Sequence, residues 1–216
     1  MNEQLIREIT QKVLTQLNSS LPHSPQTNLI PIGVSNRHVH LCRAHMDILF
    51  GSGSELTYMK ELMGGQYAAE ECITIVGAKQ RFIQNVRVLG PLRPETQVEV
   101  SKTDGFSLGI KPPIRDSGDL KNSAAITLIG PKGAVTLNEG CIIARRHIHM
   151  SLADAAHFNV SDKEIVHINI DNNRGGILTN VLIRVDHSFT LQMHIDTDEA
   201  NAFDINNDDG ASLIKT

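Results

Sequence analysis

Residues 34–41 read VSNRHVHL and residues 143–150 read IARRHIHM, one basic phrase with histidines at i and i+2, set down twice. A chain that repeats a phrase together with its surroundings builds the same structural unit twice, so this duplication limits the fold more than any other feature. The surroundings do repeat. Each phrase is followed by a segment of helical texture, CRAHMDILFG (42–51) and SLADAAHFNV (151–160). In the second of these, Ser151 and Asp154 stand as an N-cap and its N3 acid. Further on, NVRVLGPLRPETQVEVSKTDGFSLGI (85–110) aligns without a gap over NVLIRVDHSFTLQMHIDTDEANAFDI (180–205), each with an alternating strand near its middle. Runs such as CITIVGA, TQVEVS, AITLIG, EIVHINI and FTLQMHI are short, rich in β-branched residues and bounded by Gly, Pro, Asn or Asp. That is the pattern of short strands in sandwiches and barrels. The expectation is a mainly β fold with short helices. It consists of two related β-barrel domains from the internal repeat, residues 29–115 and 138–216, with a connector over 116–137.

The start of the chain has a different texture. Residues 1–18 place Leu5, Ile6, Ile9, Val13 and Leu17 on one stripe of an amphipathic helix, and the Ser/Pro-rich stretch 19–28 reads as a linker. A tethered helix of this kind either docks on a partner protein or folds back on its own domain. Net charge is −4, there is no Trp, and aromatic residues make up 4%, which argues against a nucleic-acid partner. No apolar run approaches the length of a membrane span, and the first residues lack the apolar core of a secretory signal. Cys42, Cys72 and Cys141 are an odd number and lie far apart. They suit a reducing cytoplasmic setting without a disulfide framework.

Ten histidines are many for this length, and their placement carries the chemistry. On a strand, side chains at i and i+2 share a face, roughly 6.5–7 Å apart at the backbone, so two imidazoles can converge on one metal ion. The gapless alignment supplies a third ligand in each half, because Glu99 of QVEVS lies over His194 of QMHID. This yields His38, His40 and Glu99 for one metal and His147, His149 and His194 for another. Two His with a Glu, and three His, are both ligand sets of catalytic zinc with an open position. His23, His45, His157, His167 and His187 read as ordinary histidines, and Cys141, six residues before His147, remains open as a soft alternative ligand. Arg37, Arg145 and Arg146 abut the histidines, Arg87 and Arg93 precede Glu99, Arg184 precedes His194, and Arg115 opens RDSGD. Guanidinium forks beside metal ions suit a phosphate-bearing substrate, although any one of them can be a surface ion pair, Arg115 beside Asp116 and Asp119 above all. Walker and GxGxxG loops are absent, which disfavours the nucleotide chemistry of those classes.

The phrases GVSNRHVHL, NVRVLGPLR, RDSGDL, ARRHIHM and MHIDTDEANA, in this order, resemble the phosphate propanoyltransferases of the PduL type, phosphotransacylases of bacterial microcompartments. The resemblance runs from about Ile32 to the C-terminus. It implies an active site between two β-barrels with two zinc ions per chain on the six ligands above. It also implies interconversion of acyl-CoA plus phosphate with acyl phosphate plus CoA, on propanoyl or a similar short chain. By the same resemblance CoA contacts fall on Val34, Ser35, Asn36, Lys79, Arg87 and Asn201, and phosphate contacts on Arg93, Ser117 and Arg184. Residues 1–18 resemble an encapsulation peptide, which implies shell or cargo proteins as partners and a place in the microcompartment lumen; a homo-oligomer, a dimer, is expected separately. Two other readings stay open on the residues alone: a dinuclear zinc hydrolase, and a non-catalytic scaffold stapled by zinc.

Overall fold

A computed structural model describes residues 28–215. The expected helix over 1–18 and all but the last residue of the expected linker lie outside the described residues. Alternation of side chains decides which face each strand buries. In Phe82–Gly90 (β5), Val86 and Val88 point into a core while their neighbours point out, and in Gln192–Asp196 (β13), Met193 and Ile195 do the same in a second core. Two separate hydrophobic cores result.

The remaining strands are β1 (Leu29–Ser35), β2 (His38–His40), β3 (Tyr58–Glu61), β4 (Tyr67–Val76), β6 (Gln97–Glu99), β7 (Ile114–Arg115), β8 (Ala124–Ile129), β9 (Ala134–Ala144), β10 (His147–Met150), β11 (Ile165–Ile170), β12 (Gly176–Val185) and β14 (Gly210–Ile214). They close into two six-stranded barrels. One runs β2-β5-β4-β8-β9-β6 and back to β2, with β3 and β7 added at its margins; the other runs β1-β13-β10-β12-β11-β14 and back to β1. Among the described residues the fold is mainly β with four short α-helices, as the duplicated phrases imply.

The contiguous halves expected from the sequence need correction. The strand that leads into each HxH phrase belongs to the other half's barrel. β1 pairs in parallel with β13 and antiparallel with β14, although it precedes His38, and β9 pairs in parallel with β6 and antiparallel with β8, although it precedes His147. Residues 29–35 therefore complete the second barrel, and 124–144, expected partly in the connector, complete the first. The exchange keeps the repeat's register: Ile32 pairs with Met193 as Cys141 pairs with Val98. Each crossing chain leaves one barrel and enters the HxH strand of the other, so the two phrases lie where the barrels meet.

The helices repeat with equal fidelity. Arg43–Phe50 (α1) and Leu152–Phe158 (α3) follow the phrases, as expected. Lys102–Leu108 (α2) and Thr197–Phe203 (α4) occupy matching places in the gapless alignment, just past its strands, and the sequence reading did not single them out as helices. Both open on a capping box, Ser101 with Asp104 and Asp196 with Glu199, in which each side chain satisfies the other residue's backbone N–H. Both end on a left-handed residue, Gly109 and Asp204.

Candidate metal centre and anion cleft

Within each HxH phrase the middle residue, Val39 or Ile148, is fully buried in its barrel. Alternation therefore turns His38, His40, His147 and His149 to the opposite face, where all four line a cleft of about 960 Å³ walled by both barrels. The neighbouring antiparallel strand completes each group. His38 lies opposite Glu99 and His40 opposite Gln97; His147 lies opposite His194 and His149 opposite Gln192.

In the first group the ligand-bearing atoms of His38, His40 and Glu99 lie within 4.8 Å of one another. His38 Nδ1 is 2.8 Å from the Asn36 carbonyl, and His147 Nδ1 is 2.8 Å from the Arg145 carbonyl. A carbonyl only accepts, so both Nδ1 atoms donate, and each ring keeps Nε2 for the cleft. His38 Nε2 sits 3.4 Å from Glu99 Oε2. The other carboxylate oxygen is held from behind by the Gln97 amide and by the Ser117 hydroxyl at 3.1 Å. Burial pulls the His38 imidazole down, but the charge and hydrogen bond of Glu99 together outweigh it and leave the pKa above its ordinary value. Burial pushes Glu99 up, and the facing imidazoles more than reverse this, holding it well below the usual carboxylate range.

The second group is a cluster of three rings, with centroids 4.7 Å apart for His147–His149, 4.9 Å for His149–His194 and 5.1 Å for His147–His194. Phe189 stacks on His149 at 4.1 Å. Among the described residues only the first group draws its ligand atoms to within a single ion's reach. Both ring nitrogens of His149, His194 Nε2 and His40 Nδ1 are buried without a hydrogen-bond partner. Buried polar atoms are rarely left so, and imidazole lone pairs facing a polar cleft are the donor set of a transition metal. Burial first, then the neighbouring cations and imidazoles, lowers His40 and His149 to about 3 and His194 to about 4. These three rings are neutral at pH 7 and can act as ligands.

The arginines divide into two kinds. Arg37 binds Asp104, and the matching Arg146 binds Glu199, both at 2.8 Å; each joins its HxH phrase to the N3 acid of a capping box. Arg145 pairs with Asp116 at 3.1 Å and Arg115 with Asp119 at 3.5 Å. These four take the ion-pair alternative that the sequence left open, for Arg115 above all, and serve the framework. Arg93 and Arg184 line the cleft and, among the described residues, have no carboxylate within ion-pair distance. Arg93 donates to Ser117 Oγ at 3.1 Å and to Gln66 at 3.3 Å, while Arg184 lies over the Phe189 ring. Burial lowers the Arg93 pKa, the Glu99 charge opposes that shift, and the Arg184 charge adds to it.

Of the other expected contacts, Val34, Ser35, Asn36, Arg87 and Ser117 line the cleft. Arg87 is tied to the carbonyls of Ala69 and Glu70 at 3.0 and 2.8 Å. Lys79, in an exposed turn with φ 58°, and Asn201, exposed on α4, stand outside the cleft wall. Cys141 is fully buried in the first barrel's core, where burial pushes its thiol up to about 12; it does not reach the cleft as a metal ligand. Gln97 and Gln192 were missed, yet the alignment that matched Glu99 with His194 matches them as well.

The chain matches the family model described as phosphate propanoyltransferase over residues 31–206. It is 55% identical over 203 residues to the phosphate propanoyltransferase of Lachnoclostridium phytofermentans, covering 94% of each chain. It is 55% identical over 188 residues to that of Thermotoga maritima, covering 86% of this chain and 89% of the relative. With the phosphate propanoyltransferase of Clostridioides difficile it shares 46% over 214 residues, 99% of each chain. Fold, cleft and kinship define an acyltransferase. The chain belongs to the phosphate propanoyltransferase family.

Proposed function

We propose that the chain transfers a short acyl group, propanoyl or a near relative, between CoA and inorganic phosphate in the cleft between the barrels. The observation that carries this reading is the juxtaposition of two guanidiniums without an acid partner among the described residues, Arg93 and Arg184, with six ligand-type side chains in one cleft. Two zinc ions are proposed, one held by His38, His40 and Glu99 and the other by His147, His149 and His194. The unpartnered buried nitrogens and the converging first triad support this. Zinc bound there supplies Lewis acidity that stabilises negative charge developing at the thioester.

The chain's own residues do the rest. Arg93 and Arg184 orient phosphate against the acyl carbon, and holding two reactants in line contributes up to about 7–11 kcal/mol. Phosphate is already ionised at neutral pH, so no protein base has to take a proton from it. No cysteine lines the cleft among the described residues, and direct transfer without an acyl-enzyme is the proposed course. Val34, Ser35 and Asn36, on the chain that crosses between the barrels, and Arg87 are proposed CoA contacts, with Lys79 and Asn201 as outer contacts on the surface. Residues 1–18 are proposed to dock the enzyme on a shell or cargo protein inside a microcompartment. A homodimer is proposed as the working form, supported by exposed apolar side chains such as Phe82 and Leu152.

The test is thiol release from acyl-CoA with and without phosphate. Release that requires phosphate and yields acyl phosphate is expected, with no labelled acyl group on the protein when phosphate is left out. Thiol release without phosphate would identify a hydrolase instead, and stoichiometric labelling would contradict direct transfer.

A further inference from the structure

Gln97 is 2% exposed, and every polar atom of its carboxamide has a partner. Its Oε1 accepts from the Gly118 N–H at 2.8 Å, which settles which end of the amide is oxygen. Its Nε2 donates to Glu99 Oε1 and to Ser117 Oγ, the latter at 2.9 Å. Ser117 in turn donates to the same Glu99 oxygen at 3.1 Å and accepts from Arg93 Nη1 at 3.1 Å. The hydroxyl thus uses its one proton and two lone pairs. Two donors hold Oε1 of Glu99 and leave Oε2 toward His38, and one of them, Ser117, also holds the guanidinium of Arg93, whose other nitrogen donates to Gln66.

We infer that Gln97 is a positioning residue that couples the metal triad to the phosphate arginine, through Glu99 on one side and Ser117 with Arg93 on the other. The inference rests on the proposed reading of His38, His40 and Glu99 as a zinc centre. A carboxylate ligand whose second oxygen is fixed presents its first oxygen in one direction, and partners of this kind typically account for about 10–100-fold in metal affinity or activity. The serine makes the two sites one network, so loss of the amide loosens the cation ligand and the anion ligand together. The repeat gives a contrast within the molecule. Gln192 holds the matching ladder position opposite His149, but there the third ligand is a histidine with no second oxygen to fix. Gln192 packs instead on Gly33, where an added Cβ would come within 3.0 Å of its carboxamide carbon.

The test is Gln97→Met, which keeps length and volume and removes both donors and the acceptor. Zinc-loaded wild type and variant are titrated with a chromophoric chelator, and KM for phosphate and for acyl-CoA are measured separately. The coupling predicts that one of the two zinc sites weakens about 10–100-fold while the other is unchanged, and that KM rises for phosphate more than for acyl-CoA. Wild-type affinity at both sites with an unchanged phosphate KM would overturn it. A wild type that takes up no zinc in the same titration would refute the metal reading first, and the coupling with it. Should Gln97→Met lose its folded circular dichroism, Ser117→Ala at a half-exposed position carries the test. It should raise the phosphate KM and weaken one zinc site, and unchanged values would overturn the coupling.

Discussion

Glu99 stands directly across the antiparallel ladder from His38, as His194 stands across from His147 in the other barrel. The two proposed third ligands are one position of a duplicated unit, carrying a carboxylate in one copy and an imidazole in the other. Glu99→Gln keeps the shape and the hydrogen-bonding reach and removes the charge. Chelator competition should show one zinc site at least about 10-fold weaker and the other unaffected, within the range that charge contributes to a buried contact. Equal weakening of both sites would mean that the two groups do not bind separate ions.

Arg93 is a half-buried guanidinium with no carboxylate within ion-pair distance among the described residues. Charge-assisted hydrogen bonds are worth about 1.5–3 kcal/mol, so Arg93→Ala should raise the KM for phosphate about 10–100-fold while leaving zinc content at the wild-type value. Steady-state kinetics with varied phosphate, joined to metal analysis, checks both halves. An unchanged phosphate KM would remove Arg93 from the anion site.

Ser101 caps α2, and its partner Asp104 also receives Arg37 of the first HxH phrase. Ser101→Ala should cost about 1 kcal/mol of stability, the usual worth of an N-cap, read as a lower urea midpoint without a change in slope.

Cys141 is the buried thiol, raised to about 12, while Cys42 and Cys72 are half-exposed. At pH 8 a thiol reagent should leave Cys141 unmodified in the native protein and reach it only after denaturation. The sign of the linkage follows. Above about pH 9 the unfolded chain ionises this thiol and the folded one does not. The unfolded state then holds fewer protons, and the fold loses stability as pH rises from there toward 12.

Much of this was legible in the residues. The i, i+2 histidines and the gapless match of Glu99 with His194 locate both groups, because alternation on a strand ties sequence spacing to a shared face. The Asn that opens both aligned segments has a structural reason: Asn85 and Asn180 are left-handed, with φ of 57° and 56°, a conformation Asn tolerates better than most residues. The exchange of β1 and β9 was not legible. An alternating strand says which face is buried, and it does not say against which sheet, because parallel partners come from far along the chain. Helices α2 and α4 have seven residues each, as α3 does, but lie at the ends of the aligned strand-rich segments, where S-x-x-D and D-x-x-E were the signal of their caps. Arg37 and Arg146 read as site charge because sequence shows a cation beside a histidine and cannot show the acid folded against it.

The central claim is tested most directly by a metal count on purified wild type, His38→Ala and His194→Ala, with each sample also assayed for phosphate-dependent release of CoA. The account predicts two zinc ions per wild-type chain, one in each variant, and loss of most activity in both variants. Wild type that is fully active without bound metal, or variants that keep both ions and full activity, would contradict it.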